Sequence, residues 1–172
     1  RTVPAGSDGL ILLPNFGGAG APDTDQYAKG LLYGLSVHHT KAHLIRAFLE
    51  GTAINIRRMV DYSEQVTGAH VDEVRSLGGA SKSAIWCQIK ADVLGRRVVT
   101  MRNTQDAAAM GAALLAGVGV GLWPSVAEVA REFAEVDRVY EPNPDNREAY
   151  ESALHRYDLL THAMHPISRE VY

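Results

Sequence analysis

The sequence has few of the features that mark secreted, membrane or nucleic-acid-binding proteins. Its one cysteine, Cys87, cannot form an internal disulfide, which fits a reducing cytoplasm. No apolar run approaches the ~20 residues that a transmembrane helix needs. A net charge of −3 gives no basic surface for nucleic acid. These absences favour a globular cytoplasmic protein that binds neither membranes nor nucleic acid.

The start and the size of the chain suggest one part of a larger protein. The sequence opens at Arg1, without an initiator methionine or a leader, and reaches an apolar run within ten residues. We therefore expect a fragment, or a domain taken from something longer. Its 172 residues, 46% of them hydrophobic, are enough for one domain with a substantial core.

Strand and helix patterns alternate along the chain. Apolar runs predict strands at 10–13, 31–35, 73–77 and 98–100, and helical periodicity predicts helices at 40–64, 85–94, 106–117, 125–133 and 147–164. This order predicts an α/β structure with a mixed sheet flanked by helices. In the alanine-rich third helix, we expect Gly111 to mark a tight packing contact and Asp106 to be an acidic first-turn residue.

The most informative segment is a strand, a glycine turn and a helix start between Arg75 and Trp86. Gly78 and Gly79 allow a ligand to approach the backbone closely, because they carry no Cβ. The next helix begins near Ser81 and Ser83, and the free N–H groups of a helix start favour a phosphate or a ribose hydroxyl. The pattern predicts one wall of a nucleotide site. The alternative is a tight β–α turn without a ligand.

The acidic residues and histidines supply no convincing catalytic base or metal site. Asp23 and Asp25 lie in a glycine-rich loop, where turn formation is more expected than contact with a metal or a sugar. Asp92 is expected to face solvent or to pair with a lysine. Seven histidines are present, but no cysteine or carboxylate cluster completes a ligand set, so we predict no metal site.

Three blocks of sequence carry a family resemblance. They are 21–51, then 77–95 with Leu-Gly-Gly-Ala-Ser-Lys-Ser at its start, and 106–123 with Asp-Ala-Ala-Ala-Met-Gly-Ala-Ala. In this order they resemble the C-terminal domain of the FGGY family of carbohydrate kinases, from about residue 10 to residue 164. The chain departs from the pattern at two places that bear on detailed contacts: Gly20-Ala21 stands where many members have Glu-Arg, and Ser83 where some have asparagine.

The resemblance implies an actin-like, ribonuclease-H-like ATPase fold. Residues 1–172 would then be a single domain, the C-terminal nucleotide-binding lobe of a two-lobe kinase. The N-terminal lobe, with the catalytic base and most sugar contacts, would be absent, so no catalytic residue is expected in this chain. Gly78 and Gly79 would lie against the ATP phosphates and ribose, and Ala80 and Ser81 would shape the same turn. Ser83 would lie near the adenosine, and Mg²⁺ would accompany ATP.

The activity implied is transfer of the γ-phosphoryl of ATP to a sugar or polyol hydroxyl. A ketopentose such as xylulose is our first choice of acceptor, and glycerol is the second. A non-catalytic actin-like ATP-binding module is the alternative from another class. A Rossmann site is disfavoured, because no G-x-G-x-x-G follows a strand. The missing lobe is the expected partner, a homodimer stays open, and the fragment alone is expected to be inactive.

Overall fold

The structure, a computed structural model, describes residues 3–102, 107–133 and 135–170. Helices and strands alternate along this length, as the sequence predicts. The strands are β1 (Ile11–Leu13), β2 (Leu31–Tyr33), β3 (Glu73–Ser76), β4 (Arg97–Met101) and β5 (Val136–Tyr140). The helices are α1 (Lys41–Thr67), α2 (Ala84–Leu94), α3 (Ala107–Gly119), α4 (Val126–Phe133) and α5 (Arg147–Glu170).

The described strands form two small sheets. β1 and β2 pair antiparallel, with Leu12 opposite Leu32. In the second sheet β3 and β4 are parallel, which requires the α2 crossover between them, and β5 runs antiparallel to β4. Val98 and Val99 of β4 are both fully buried, although successive strand residues point to opposite faces. β4 is therefore covered on both sides, and β3 leads directly into the glycine turn.

The long helix α1 is fixed at both ends by local sequence. At its start, the backbone N–H of Thr40 donates to Nδ1 of His43 (3.1 Å), as part of a capping box. At its end, Gly68 adopts a left-handed conformation (φ 69°). In its middle, Gly51 packs so closely on β1 that a Cβ there would overlap the carbonyl oxygen of Leu12. The sequence-predicted helix is confirmed and runs slightly further.

The hydrophobic core lies where α1, α2 and α5 meet β1. Its members are almost completely buried and include both aliphatic residues and tyrosines: Ile11, Leu13, Ala53, Ile54, Ile89, Val93, Leu94, Tyr150, Ala153 and Tyr157. Helical spacing places these residues on the inward stripe of each helix. α2 is thus held between the core and the second sheet, which fixes the position of the turn before it.

A buried carboxylate joins the first residues of the chain to α1 and α5. Glu50 is 3% exposed and accepts hydrogen bonds from the Gly6 backbone N–H (3.0 Å), the Ser7 hydroxyl (2.6 Å) and the Tyr150 hydroxyl (3.0 Å). Arg46 pairs with it at 2.7 Å. Burial, followed by the charge of Glu50, raises the pKa of Tyr150. Because its charge is matched and its oxygens are bonded, Glu50 is a stable structural group.

The alanine-rich helix differs from expectation. Gly111 does not mark a tight contact, since a Cβ built there meets no atom within 4 Å. Within the described residues α3 packs chiefly on α4 and buries only Leu114 and Gly117. The predicted first-turn residue Asp106 lies outside the described residues. The expectation of a tight contact at Gly111 is therefore wrong within the described residues.

Two further differences concern the C-terminal third. β5 was not predicted, because its exposed residues, including Asp137 and Arg138, show no apolar alternation. α5 continues past the predicted end at Met164 to Glu170, with Pro166 inside it. Among the described residues, no helix has the length and apolarity that a membrane crossing requires.

Candidate functional site

The candidate site is the turn between β3 and α2. Gly78 has φ 77° and ψ −172°, a conformation that residues with a side chain rarely adopt. Residues Gly79–Lys82 then form one 3₁₀ turn. Ser83 is the N-cap of α2, where its hydroxyl accepts a hydrogen bond from the Trp86 backbone N–H (3.3 Å). The predicted strand, glycine turn and capped helix are confirmed as local structure.

The outer surface of this turn is open. A Cβ built on Gly78 or on Gly79 meets no atom within 4 Å. Gly79, Ala80 and Ser83 are all exposed. The first N–H groups of a helical turn have no acceptor within that turn. The four predicted site residues therefore lie together on one accessible backbone surface that an anionic group can approach.

The inner side of the turn is firmly held. The buried Ser81 donates its hydroxyl to the carbonyl oxygen of Gly78 (2.7 Å), and the Cys87 thiol donates to the carbonyl oxygen of Ser81 (3.4 Å). These bonds fix the turn to the first turns of α2. Cys87 itself is completely buried. Hydrogen bonds within the protein therefore preorganise the turn.

A buried lysine behind the turn was missed by the sequence reasoning. Lys90 is 7% exposed, and its Nζ donates to the hydroxyl of Ser76, the last residue of β3. The ammonium group also lies 5.2 Å from the centre of the Trp86 ring. Burial lowers the pKa of Lys90. No sequence signal separates such a lysine from the many that lie on helix surfaces, since its partner is on another element.

The prediction for Asp92 is wrong. It does not face solvent or pair with a lysine: it is 7% exposed and accepts hydrogen bonds from Gln88 Nε2 (2.7 Å), the Asn143 backbone N–H (2.8 Å) and Asn146 Nδ2 (2.8 Å). It thereby anchors the segment between β5 and α5 to α2. Helical periodicity could not reveal this role, because the asparagines lie more than fifty positions away in the sequence.

The remaining sequence candidates have structural partners. Asp25 accepts from the Tyr27 backbone N–H (2.9 Å), the turn that the sequence predicts, and Asp23 forms an ion pair with Arg58. His43 pairs with Asp8 (3.0 Å). Within residues 3–102, 107–133 and 135–170, no group of three or more His, Cys, Asp or Glu side chains is placed to hold a metal ion.

A cleft of about 610 Å³ lies at the opposite end of α2, beside Gly95. None of the predicted site residues lines it. Its arginines include Arg57, which binds Glu151 (2.9 Å), and Arg96, which binds Glu64 (2.6 Å). Carboxylates of the protein already occupy these two guanidinium groups, whereas Arg147, which also lines the cleft, forms no ion pair within the described residues.

Comparison with known proteins gives consistent matches. Residues 1–120 match the model of the FGGY family of carbohydrate kinases, C-terminal domain. A glycerol kinase of Rhodopirellula baltica is 42% identical over 136 residues, which are 79% of this chain and 25% of that protein. A glycerol kinase of Deinococcus radiodurans is 38% identical over 148 residues, which are 86% of this chain and 29% of that protein.

Solved structures of carbohydrate kinases are consistent with the family match. A gluconate kinase from Lactobacillus acidophilus has a TM-score of 0.83 at 32% identity, covering 99% of this chain and 34% of that chain. A xylulose kinase from Rhodospirillum rubrum has a TM-score of 0.79 at 32% identity, covering 97% of this chain and 33% of that one. The chain thus spans about a quarter to a third of the length of these relatives. The predicted family and fold are confirmed: the chain has the actin-like ATPase fold and belongs to the FGGY family of carbohydrate kinases.

Proposed function

We propose that this chain is the nucleotide-binding lobe of an ATP-dependent kinase that phosphorylates a hydroxyl of a sugar or polyol. The observation that carries the proposal is the open, preorganised turn at Gly78 and Gly79. Family membership supplies the reaction class, and the chain's length relative to its relatives supports a second lobe elsewhere in a longer protein.

In this proposal the turn binds the phosphates and ribose of ATP through its backbone. Gly78, Gly79 and Ala80 present N–H groups without a large side chain in the way, and Ser83 lies at the helix start beside the adenosine. Mg²⁺ bound with ATP neutralises charge on the transferring phosphoryl group. This chain contributes positioning and electrostatic stabilisation, which dominate phosphoryl transfer.

The proton of the attacking hydroxyl needs a carboxylate base. Asp23, Asp25 and Asp92 are each held by structural partners. We therefore propose that the base lies outside this chain, as the family resemblance implies. The chain alone is expected to give no detectable sugar phosphate. Turnover by the purified 172-residue chain would contradict this part of the proposal.

Two acceptor classes are each supported by a different observation. Glycerol is favoured by sequence, because the two curated relatives described above are glycerol kinases at 42% and 38% identity. A sugar-derived acceptor such as xylulose is favoured by structure, because the xylulose and gluconate kinases align over nearly the whole chain. The sequence analysis favoured xylulose as the acceptor. The glycerol kinase relatives give glycerol equal support.

The experiment is an ADP-release assay on the full-length protein, with glycerol, xylulose and gluconate supplied separately at equal concentration. We expect one acceptor to exceed the others in kcat/KM by at least about a hundredfold, as polar pockets discriminate strongly between hydroxyl patterns. EDTA should abolish the reaction by removing Mg²⁺. Tight ATP binding without phosphorylation of any sugar or polyol in a wider panel would instead support the non-catalytic actin-like module.

A further inference from the structure

The loop after β1 and the last turns of α5 enclose a small cavity of about 20 Å³. It is lined by the end of β1, by the loop between residues 19 and 29, and by α5 between Thr161 and Ser168. No lining residue is shared with the cleft beside Gly95, and none belongs to the glycine turn. A cavity needs roughly 10–15 Å³ to hold a water-sized species. This one therefore has room for a single water molecule or small ion.

Three side chains that line the cavity are buried and have unused hydrogen-bonding atoms. Asn15 is 9% exposed, and Asp25 and Ser168 are each 4% exposed. Within the described residues, the side chains of Asn15 and Ser168 make no hydrogen bond, and Oδ2 of Asp25 has no hydrogen-bond partner. Buried polar groups in proteins are nearly always hydrogen-bonded. Three such groups around one cavity therefore indicate a bound polar species.

Asp25 is held in place by its backbone and by one of its two carboxylate oxygens. Its backbone N–H and carbonyl oxygen bond to the backbone of Ala19 (2.9 and 2.7 Å), and Oδ1 accepts from the Tyr27 backbone N–H (2.9 Å). These bonds keep Oδ2 in its buried position. An ionised carboxylate is costly to bury unless a positive charge balances it. The charges around Asp25 therefore determine which species the cavity binds.

Within the described residues, no permanent positive charge pairs with Asp25. Its ion-pair partner there is His165, whose Nε2 lies 3.5 Å from Oδ2, and an imidazole is charged only when protonated. Asp23, a second carboxylate that lines the cavity, is already paired with Arg58. The exposed Lys29 also lines the cavity but forms no ion pair with Asp25. Near neutral pH the charge of Asp25 therefore has no permanent partner in direct contact.

The lining also offers oxygen atoms rather than proton donors. The Thr161 hydroxyl donates its proton to the Tyr157 carbonyl oxygen (3.0 Å), so only its oxygen lone pairs are left for the cavity. The Asp25 carboxylate is an acceptor only, and Asn15 and Ser168 can each present an oxygen. Such oxygen atoms are the ligands that hard cations prefer. Because one ligand carries a full negative charge, a cation with a single positive charge balances the set.

We propose that this cavity binds a monovalent cation of the size of Na⁺. Asp25 is the charged ligand, and Asn15, Thr161 and Ser168 supply neutral oxygen atoms. The ion joins the loop after β1 to the last turns of α5, so its role is structural and independent of the proposed kinase activity. Its ligands come from both ends of the chain and include a single carboxylate, so they form no pattern of His, Cys or carboxylate residues in the sequence.

The first test compares thermal unfolding of the full-length protein in sodium chloride and in choline chloride at equal ionic strength. Choline is too large for the cavity. We expect Na⁺ to raise the unfolding midpoint by about 2–4 °C and the effect to saturate with concentration, because the ion binds only the folded state. An equal midpoint in the two salts overturns the proposal.

Two variants separate this site from a general effect of salt. Asp25→Asn keeps an oxygen for the Tyr27 N–H but removes the charge, so its unfolding midpoint should not respond to Na⁺. In choline chloride this variant should be at least as stable as the wild type, since no buried charge is left unbalanced. Asp145→Asn, the matched change at an exposed position, should keep the full response. A response to Na⁺ that persists in Asp25→Asn overturns the proposal.

The second test needs no variant, so it holds even if Asp25→Asn fails to fold. High-resolution crystal structures of the full-length protein grown in each salt identify the bound species by its distances to oxygen atoms. In the Na⁺ crystals we expect an ion with at least three oxygens, including Asp25 Oδ2, at about 2.4 Å, as for Ca²⁺, an ion of similar radius. A peak about 2.8 Å from its neighbours in both salts is an ordered water only and overturns the proposal. So does a Lys29 ammonium group in the cavity.

Discussion

Two pairs of glycines in this protein have opposite surroundings. At Gly51 and Gly117 a Cβ would overlap atoms already present, the carbonyl oxygen of Leu12 in one case and the Trp123 ring in the other. At Gly78 and Gly79 a Cβ would meet nothing within 4 Å. The first pair is explained by the packing of the chain. Packing does not explain the second pair, although the positive φ of Gly78 favours glycine at that position.

This difference separates glycines that the packing requires from glycines that it does not require. Gly51 allows α1 to approach β1, so its absence of a side chain serves the core. Gly79 has neither a close neighbour nor a positive φ. Packing within the described residues does not require glycine at this position, and the proposed nucleotide would supply such a requirement. A substitution at Gly51 should therefore lower stability, whereas a substitution at Gly79 should weaken ATP binding.

The largest effect on stability is expected at Gly51. Gly51→Ala should destabilise the protein by roughly 1–3 kcal/mol, because the new methyl group must displace a backbone carbonyl, which cannot rotate away as a side chain could. Urea unfolding of the full-length protein would measure this. The remaining folded protein should bind ATP normally. Unchanged stability would show that α1 and β1 do not approach as closely as described.

A smaller effect of opposite sign is expected at Gly111 in α3. Gly111→Ala should stabilise the protein by about 0.5–1 kcal/mol, because alanine favours the helix and the position has space for the methyl group. Thermal unfolding beside the wild type would measure the change. Destabilisation would mean that α3 packs against a part of the full-length protein at this position, which would restore the sequence-based expectation of a tight contact.

Local signals in the sequence predicted much of the fold. Thr40 and Gly68 mark the two ends of α1, and Ser83 marks the start of α2, because caps depend on the residues next to them. The family resemblance then supplied the fold. β5 was missed, since an exposed strand carries little hydrophobic pattern.

The candidate site was predicted less completely. The glycine turn was found because its spacing before a helix is visible in the sequence. The roles of Lys90 and Asp92 were not, because each depends on partners that only folding brings near. Nor could the sequence distinguish Gly51 from Gly79, since the two differ only in what surrounds them. Long-range contacts of this kind leave no local pattern.

The most direct test of the central claim is Gly79→Val in the full-length protein, with ATP titration and thermal unfolding on the same sample. The account predicts an unfolding midpoint close to that of the wild type, because the side chain enters open space. It also predicts that ATP binds at least about tenfold more weakly, a loss of about 1.4 kcal/mol, while the KM for the acceptor changes little. A variant that binds ATP as tightly as the wild type would contradict the assignment of this turn to the nucleotide.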